Sequence, residues 1–218
     1  MYIITGAQLG AKRIAPLVMN NKIRTVIIED DTILRNGYAL LIGKTNGFEV
    51  INSYYSYDEA SISISTDMPD VILLDVQLPG TNGIDAIPEI KRTLPGCQVV
   101  ILSVYEFEDL VIKAYANGAS GYLTKDTPLA HIADTLNEIM DGYKPINKSL
   151  ARLISRLFKN NKFQDISPLE TRVLELLTTG KGKNQISREL LIEADLVSCS
   201  VNAIHQNFLL NIRAACQR

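Results

Sequence analysis

Four consecutive apolar residues, Val71-Ile72-Leu73-Leu74, run straight into Asp75, and Pro79-Gly80 and Asn82-Gly83 follow at once. A short apolar run bounded by turn formers predicts a strand buried on both faces, which belongs inside a parallel sheet. Asp75 then stands at the carboxyl end of that strand, the edge where open α/β sheets hold ligands. An aspartate that merely caps the next turn would have the same local sequence. The rest of the chain separates the two readings.

The pattern recurs. Arg24-Thr-Val-Ile-Ile28 ends in Glu29, Asp30 and Asp31. Thr32 reads as the N-cap of a helix whose apolar positions are Ile33, Leu34, Tyr38, Leu41 and Ile42. Residues 48–54 predict a further strand, and 58–66 a weaker helix rich in Ser and Ile. A helix from Asn82 to Leu94 carries Pro88 inside it, where a kink is expected. Cys97 to Leu102 predicts a buried strand followed by Ser103, then a helix over 109–117 closed by Gly118. Gly121 to Lys125 is the last strand, and Pro128 opens a helix to Gly142 at its favoured first-turn position. Strictly alternating strands and helices predict an α/β fold, a five-stranded doubly wound parallel sheet with right-handed crossovers. Its strand ends bring Glu29, Asp30, Asp75, Ser103 and Lys125 to one edge.

Composition narrows the chemistry. With 46% hydrophobic and 21% charged residues in 218, the chain reads as a soluble globular protein of one or two domains. Cys97, Cys199 and Cys216 are odd in number and form no CxxC pair, and His131 and His205 are the two histidines. A disulfide framework or a zinc site is therefore not expected, and a reducing, cytoplasmic location is. No apolar run reaches the length of a membrane span. Residues 1–22 place Lys12, Arg13 and Lys22 after the apolar start, the reverse of a secretory signal, and read as an N-terminal extension.

Three carboxylates in one pocket repel each other, and a divalent cation removes that cost. Carboxylate oxygens without Cys or His suit a hard ion, Mg²⁺ above all. With an ammonium from Lys125 and a hydroxyl from Ser103, the pocket becomes a receptor for a phosphoryl group. No Walker-type glycine loop is present to bring a nucleotide. Asp75, on the central strand, is the candidate nucleophile for an aspartyl phosphate.

Four segments carry a resemblance: Ile28-Glu29-Asp30-Asp31; Leu73-Leu-Asp75-Val-Gln-Leu-Pro79-Gly80 with Asn82-Gly83; Ile101-Leu-Ser103; and Gly118-Ala-Ser-Gly-Tyr122-Leu-Thr-Lys125. In this order and spacing, residues 24–142 resemble a bacterial response-regulator receiver domain. The resemblance implies a flavodoxin-like sheet, with a sensor histidine kinase as the phosphoryl donor to Asp75. It implies Mg²⁺ on Glu29, Asp30, Asp75 and the backbone carbonyl of Gln77, and phosphate contacts from Ser103 and Lys125. Tyr122 becomes the rotating aromatic, turning inward as Ser103 moves toward the phosphate. Such a domain is no enzyme beyond removing its own phosphate. A hydrolase that works through an aspartyl phosphate would need an acid at position 77, where this chain has Gln77.

The second half changes character. Residues 143–165 form an expected basic linker helix: Lys144, Lys148, Arg152, Arg156, Lys159 and Lys162 oppose an apolar stripe of Leu150, Leu153, Ile154 and Leu157. Residues 166–218 predict a small all-α helix-turn-helix domain. Ser167-Pro-Leu-Glu170 is a capping box. Short helices follow over 185–191 and 201–212. Ser167-Pro-Leu-Glu170, Val173-Leu174, Gly180, Asn184-Gln-Ile186 and Leu190 resemble the LuxR-type DNA-binding domain, which with the receiver points to the NarL/FixJ class. That implies promoter DNA as a partner and a homodimer when phosphorylated. Lys181, Lys183 and Arg188 are expected on phosphates, with Asn202, His205 and Gln206 on base edges. The match is divergent. Residues 192–200 read as a turn several residues longer than the family's, and the recognition stretch Val201–Asn207 has no cation before Arg213. Residues 166–218 hold six basic side chains against five acidic ones and leave no room for a fourth helix. The alternative function is a phosphorylation-dependent interaction module whose C-terminal domain no longer binds DNA.

Overall fold

The computed structural model describes residues 22–159 and 166–216. The expected N-terminal extension, apart from Lys22, and residues 160–165 at the end of the expected linker lie outside the described residues. The first half alternates strand and helix five times: β1 (Ile23–Ile28), α1 (Thr32–Lys44), β2 (Phe48–Tyr54), α2 (Tyr57–Asp67), β3 (Val71–Asp75), α3 (Gly83–Thr93), β4 (Gln98–Ser103), α4 (Glu108–Asn117), β5 (Gly121–Thr124) and α5 (Leu129–Met140). All pairings are parallel, in the order β2-β1-β3-β4-β5. The order reverses between β1 and β3, the switch point where flavodoxin-like sheets open a crevice.

Period-two alternation divides the strands between two apolar layers. Ile27, Leu73, Val100 and Leu102 pack with Tyr38 and Ile42 of α1 and Ile132, Leu136 and Ile139 of α5. Val26, Ile28, Ile72, Leu74, Val99 and Ile101 pack with Ile64 of α2, Ile84, Ile87 and Ile90 of α3, and Tyr115 of α4. Continuous apolar strands follow from having helices on both faces. At Gly83, a Cβ would sit 1.9 Å from the Asp75 carbonyl oxygen, so only glycine lets α3 start against the end of β3.

One local expectation is corrected. The cap of α1 is Asp31, not Thr32: its carboxylate accepts from the N–H groups of Ile33 and Leu34 at 2.7 and 3.0 Å. A carboxylate suits the positive end of a helix better than a hydroxyl. Pro88, where a kink is expected, lies inside α3. Proline cannot donate to the Ile84 carbonyl one turn back. Asn117 Nδ2 supplies that missing hydrogen bond at 2.9 Å.

The second half is helical: α6 (Lys148–Lys159), α7 (Pro168–Thr178), α8 (Lys183–Leu190) and α9 (Ala194–Cys216). Ser167 and Glu170 form the capping box of α7 as expected. The long turn expected over 192–200 is absent. Leu191, in the left-handed region at φ 54°, ends α8, and α9 begins at Ala194 and runs for 23 residues. Ser187 closes this short turn by accepting from the Ile192 N–H (3.1 Å) and donating its hydroxyl to the Ile192 carbonyl (2.6 Å). Glu193 and Asp195 favour a helix start because they sit at its positive end. The hydroxyls of Ser198 and Ser200 fold back onto the carbonyls of Ala194 and Leu196, so neither serine opens a turn.

The apolar core of the receiver continues into these helices, taking in Leu150, Leu153 and Ile154 of α6, Val173 and Leu177 of α7, and Val201, Ile204 and Phe208 of α9. Tyr115 of α4 meets His205 and Phe208 edge-on, at centroid distances of 5.3 and 5.8 Å. No helix among the described residues is long and apolar enough to cross a membrane. Asn117→Ala would strip the Ile84 carbonyl of its donor beside Pro88. The expected cost is about 1–3 kcal/mol, read as a lower urea midpoint at unchanged slope.

Candidate phosphoacceptor and metal site

Neighbouring β1 and β3, in a register that sets Ile28 beside Leu74, put Glu29 next to Asp75. Carboxylate oxygens of Glu29, Asp30 and Asp75 all lie within 4.8 Å of one another. Lys125 leaves the end of β5, fixed by its N–H to the Ser103 carbonyl at 2.8 Å. Its ammonium reaches across β4 to Glu29, 2.8 Å from both oxygens, and to Asp75 Oδ1 at 3.1 Å. Glu29 and Asp75 are 1% and 3% exposed, so this is a buried charge cluster. Asp30 is half-buried at its rim.

Two buried acids share one cation, and the charge is not balanced. Burial is the largest effect on Asp75 and raises its pKa, against the lowering pull of Lys125 and of the Val76 and Gln77 backbone. Glu29 is raised for the same first reason, with Asp75 adding to it. Burial works against the Lys125 ammonium, but Glu29 and Asp75 together outweigh it and raise its pKa. Glu29 Oε2 touches Lys125 as an ion pair but makes no hydrogen bond. An all-oxygen cluster with surplus negative charge and an unsatisfied buried oxygen fits a hard divalent cation.

The hydroxyl side is described here without a phosphoryl group. Ser103 Oγ accepts from the Tyr105 N–H at 3.0 Å rather than engaging Asp75. Tyr122 is already turned inward and buried, its hydroxyl donating to the Tyr105 carbonyl at 2.6 Å. Asn147, just before α6, donates to the Tyr122 carbonyl at 3.1 Å. Sequence reading missed this contact, as it missed Arg35, whose guanidinium holds the carbonyls of Glu29 (2.6 Å) and Asp30 (3.3 Å). A basic residue one turn into the helix after an acidic run was the available signal for Arg35.

The residues expected to contact DNA are not gathered on one free face. His205 is 1% exposed and packed on Tyr115, so it offers no edge to a base in this arrangement. Asn202 is half-buried and accepts from the Lys144 N–H at 2.9 Å. Gln206 is exposed. Lys181 pairs with Glu189, Lys183 lies 5.9 Å above the Tyr143 ring, and Arg188 donates to the Asn184 carbonyl. The recognition stretch expected at Val201–Asn207 is the middle of α9; the solvent-facing residues near its start are Asp195, Leu196 and Cys199.

Residues 25–137 match the response regulator receiver domain family, and the chain belongs to it: it is a two-component response regulator of the NarL/FixJ class. It is 25% identical over 202 residues to the oxygen regulatory protein NreC of Staphylococcus carnosus, covering 88% of this chain and 92% of that one. It is 28% identical over 181 residues to the transcriptional regulatory protein DesR of Bacillus subtilis, covering 82% and 86%. A structure of the RcsB response regulator of Salmonella typhimurium shares the fold across both halves, at TM-score 0.59 and 18% identity, over 90% of this chain and 99% of that one.

Two outcomes follow from the charge imbalance. Carboxyls with raised pKa values take up protons more readily folded than unfolded, so they weaken the fold above the carboxylate range and cease to do so as pH falls through it. Asp75→Asn removes one buried charge and leaves Lys125 its Glu29 partner. It is expected to raise Tm at pH 7 by a few degrees, on the order of 1 kcal/mol, with the gain shrinking toward about pH 4. Millimolar Mg²⁺ is expected to raise the Tm of the wild type and to do so markedly less for Asp30→Ala. Equal shifts in both proteins would remove Asp30 from the metal site.

Proposed function

We propose that this chain regulates transcription under control of a phosphoryl group on Asp75. The observation that carries the reading is the cluster of Glu29, Asp30 and Asp75 around Lys125, at the sheet edge of a chain in the receiver family. An Asp75 carboxylate oxygen attacks phosphorus, the P–N bond of a kinase phosphohistidine breaks, and the freed imidazole takes up a proton. Lys125 works against the burial that favours the protonated form of Asp75 and carries positive charge to the incoming phosphoryl oxygens. Glu29, Asp30 and Asp75, with the Gln77 carbonyl, would hold Mg²⁺, which neutralises charge on those oxygens. The Ser103 hydroxyl would donate to the phosphoryl group after leaving the Tyr105 amide. Tyr122, held under that same amide segment, would relay the change to Asn147 and α6.

DNA binding is the output that fits best. α8, the short turn at Leu191–Glu193 and α9 make a helix-turn-helix, and a relative, DesR, is named a transcriptional regulatory protein. In such units the first residues of the second helix meet base edges, which here means Asp195, Leu196, Ser198 and Cys199. None of these is a cation. Phosphate contacts would come from Lys181, Lys183 and Arg188, and pairing two subunits after phosphorylation would double them. The chain would act in the cytoplasm beside a sensor histidine kinase.

The test is gel retardation of promoter fragments by the full chain, before and after treatment with an acyl phosphate and Mg²⁺. Retardation that appears or strengthens on phosphorylation, with a salt dependence of about one log–log unit per phosphate contact, is the expected result. Lys181→Ala with Lys183→Ala should weaken all sequences alike, and Ser198→Ala should blunt discrimination between them. Absence of retardation at low salt would leave the interaction-module reading in its place. Lys125→Ala and Ser103→Ala should each uncouple DNA binding from phosphorylation. A normal response in both variants would contradict the relay.

A further inference from the structure

On the opposite side of the molecule from the acid edge, a cleft of about 460 Å³ opens between the receiver and α9. Lys91 of α3, Lys144 of the α5–α6 connection and Arg213 of α9 line it, together with Gln98, Ser120 and His205. Among the described residues, no Asp or Glu lines it. Three cations facing one space with no counter-charge is an unfavourable arrangement unless something anionic joins them.

The polar groups in this wall are left short of partners in a way that points inward. His205 is 1% exposed, and neither ring nitrogen has a hydrogen bond. A buried imidazole with both nitrogens unsatisfied is costly, and it lines the cleft. Burial, reinforced by the Lys144 charge, pushes its pKa down to about 4, so at neutral pH it is an uncharged ring with one N–H to donate. Among the described residues the Lys144 ammonium reaches the Gln98 amide oxygen, at a long 3.4 Å, and Ser120 already donates to that oxygen at 2.7 Å. Lys91 donates to the Cys97 carbonyl at 2.6 Å and is held below its ordinary pKa by burial and then by Lys144. An anion would satisfy the imidazole and favour both ammonium groups at once.

We propose that this cleft is a binding site for a small phosphoryl-bearing polyanion of about diphosphate size, held by Lys91, Lys144 and Arg213 with an N–H of His205 donating to it. Its volume falls in the range of small-molecule sites and exceeds what a single inorganic ion fills. Three separated cations suit a ligand with more than one charged group. Because the ligating groups come from α3, the connection and α9, a bound polyanion ties the C-terminal helices to the receiver. The site is independent of the Asp75 chemistry.

Titration calorimetry on the full chain, without Mg²⁺ and at constant ionic strength, tests this with pyrophosphate, inorganic phosphate and citrate. Saturable 1:1 binding of pyrophosphate, at least tenfold tighter than phosphate or citrate, is expected. Arg213→Gln and Lys144→Gln should each weaken it tenfold or more, while Lys113→Gln, an ion pair with Asp85 elsewhere on the surface, should leave it unchanged. The His205 ring proton resonances should shift on saturation. If Lys144→Gln does not fold, the exposed Arg213 decides alone. No saturable binding, binding untouched by Arg213→Gln, or citrate binding as tightly as pyrophosphate would each overturn the proposal.

Discussion

One ammonium, that of Lys125, sits between two buried carboxylates that would otherwise repel each other across adjacent strands. The sheet order makes this meeting unavoidable. With β1 beside β3, every polar residue that ends those strands is driven to the same edge. Strand interiors that are apolar on both faces leave no other place for Glu29 or Asp75. A single lysine cannot balance two buried acids and a half-buried third, so the edge stays electrostatically incomplete. That incompleteness is the property a cation and a phosphoryl group can use.

The second organising feature is the shared core. Tyr115, Leu150, Val173 and Phe208 belong to one apolar cluster, although they come from the receiver, α6, α7 and α9. The surface beside Tyr122 is also where Asn147 is anchored, and Glu106 just before α4 and Glu108 at its start accept from Ser149 and Arg156 of α6. A rearrangement of the Ser103–Tyr105–Tyr122 segment therefore acts directly on groups that hold α6. The basic face expected of the linker helix is in part a docking face.

Much of the receiver was legible from residue pattern because period and burial agree there. Apolar runs ending in acids, turn residues and glycine stops gave the five strands, and the strand ends gave the acid cluster. What stayed hidden depended on side-chain to backbone contacts that residue pattern does not display. Asn117 repairs the backbone gap at Pro88 from another helix, and Arg35 shapes the acidic loop through carbonyls rather than charges. The C-terminal reading failed at Ser198 and Ser200, whose hydroxyls bond back within a helix, and at Leu191, a non-glycine residue in the left-handed region. With α9 starting at Ala194, His205 moves from an expected base reader to a buried interface residue.

The most direct test is mass-spectrometric mapping of the full chain after incubation with a small acyl phosphate and Mg²⁺. One phosphoryl group on the peptide that contains Asp75, not formed when the incubation contains excess chelator, is the expected result. A phosphoryl group on another residue, or full modification in excess chelator, would contradict the assignment of Asp75 and its neighbouring acids.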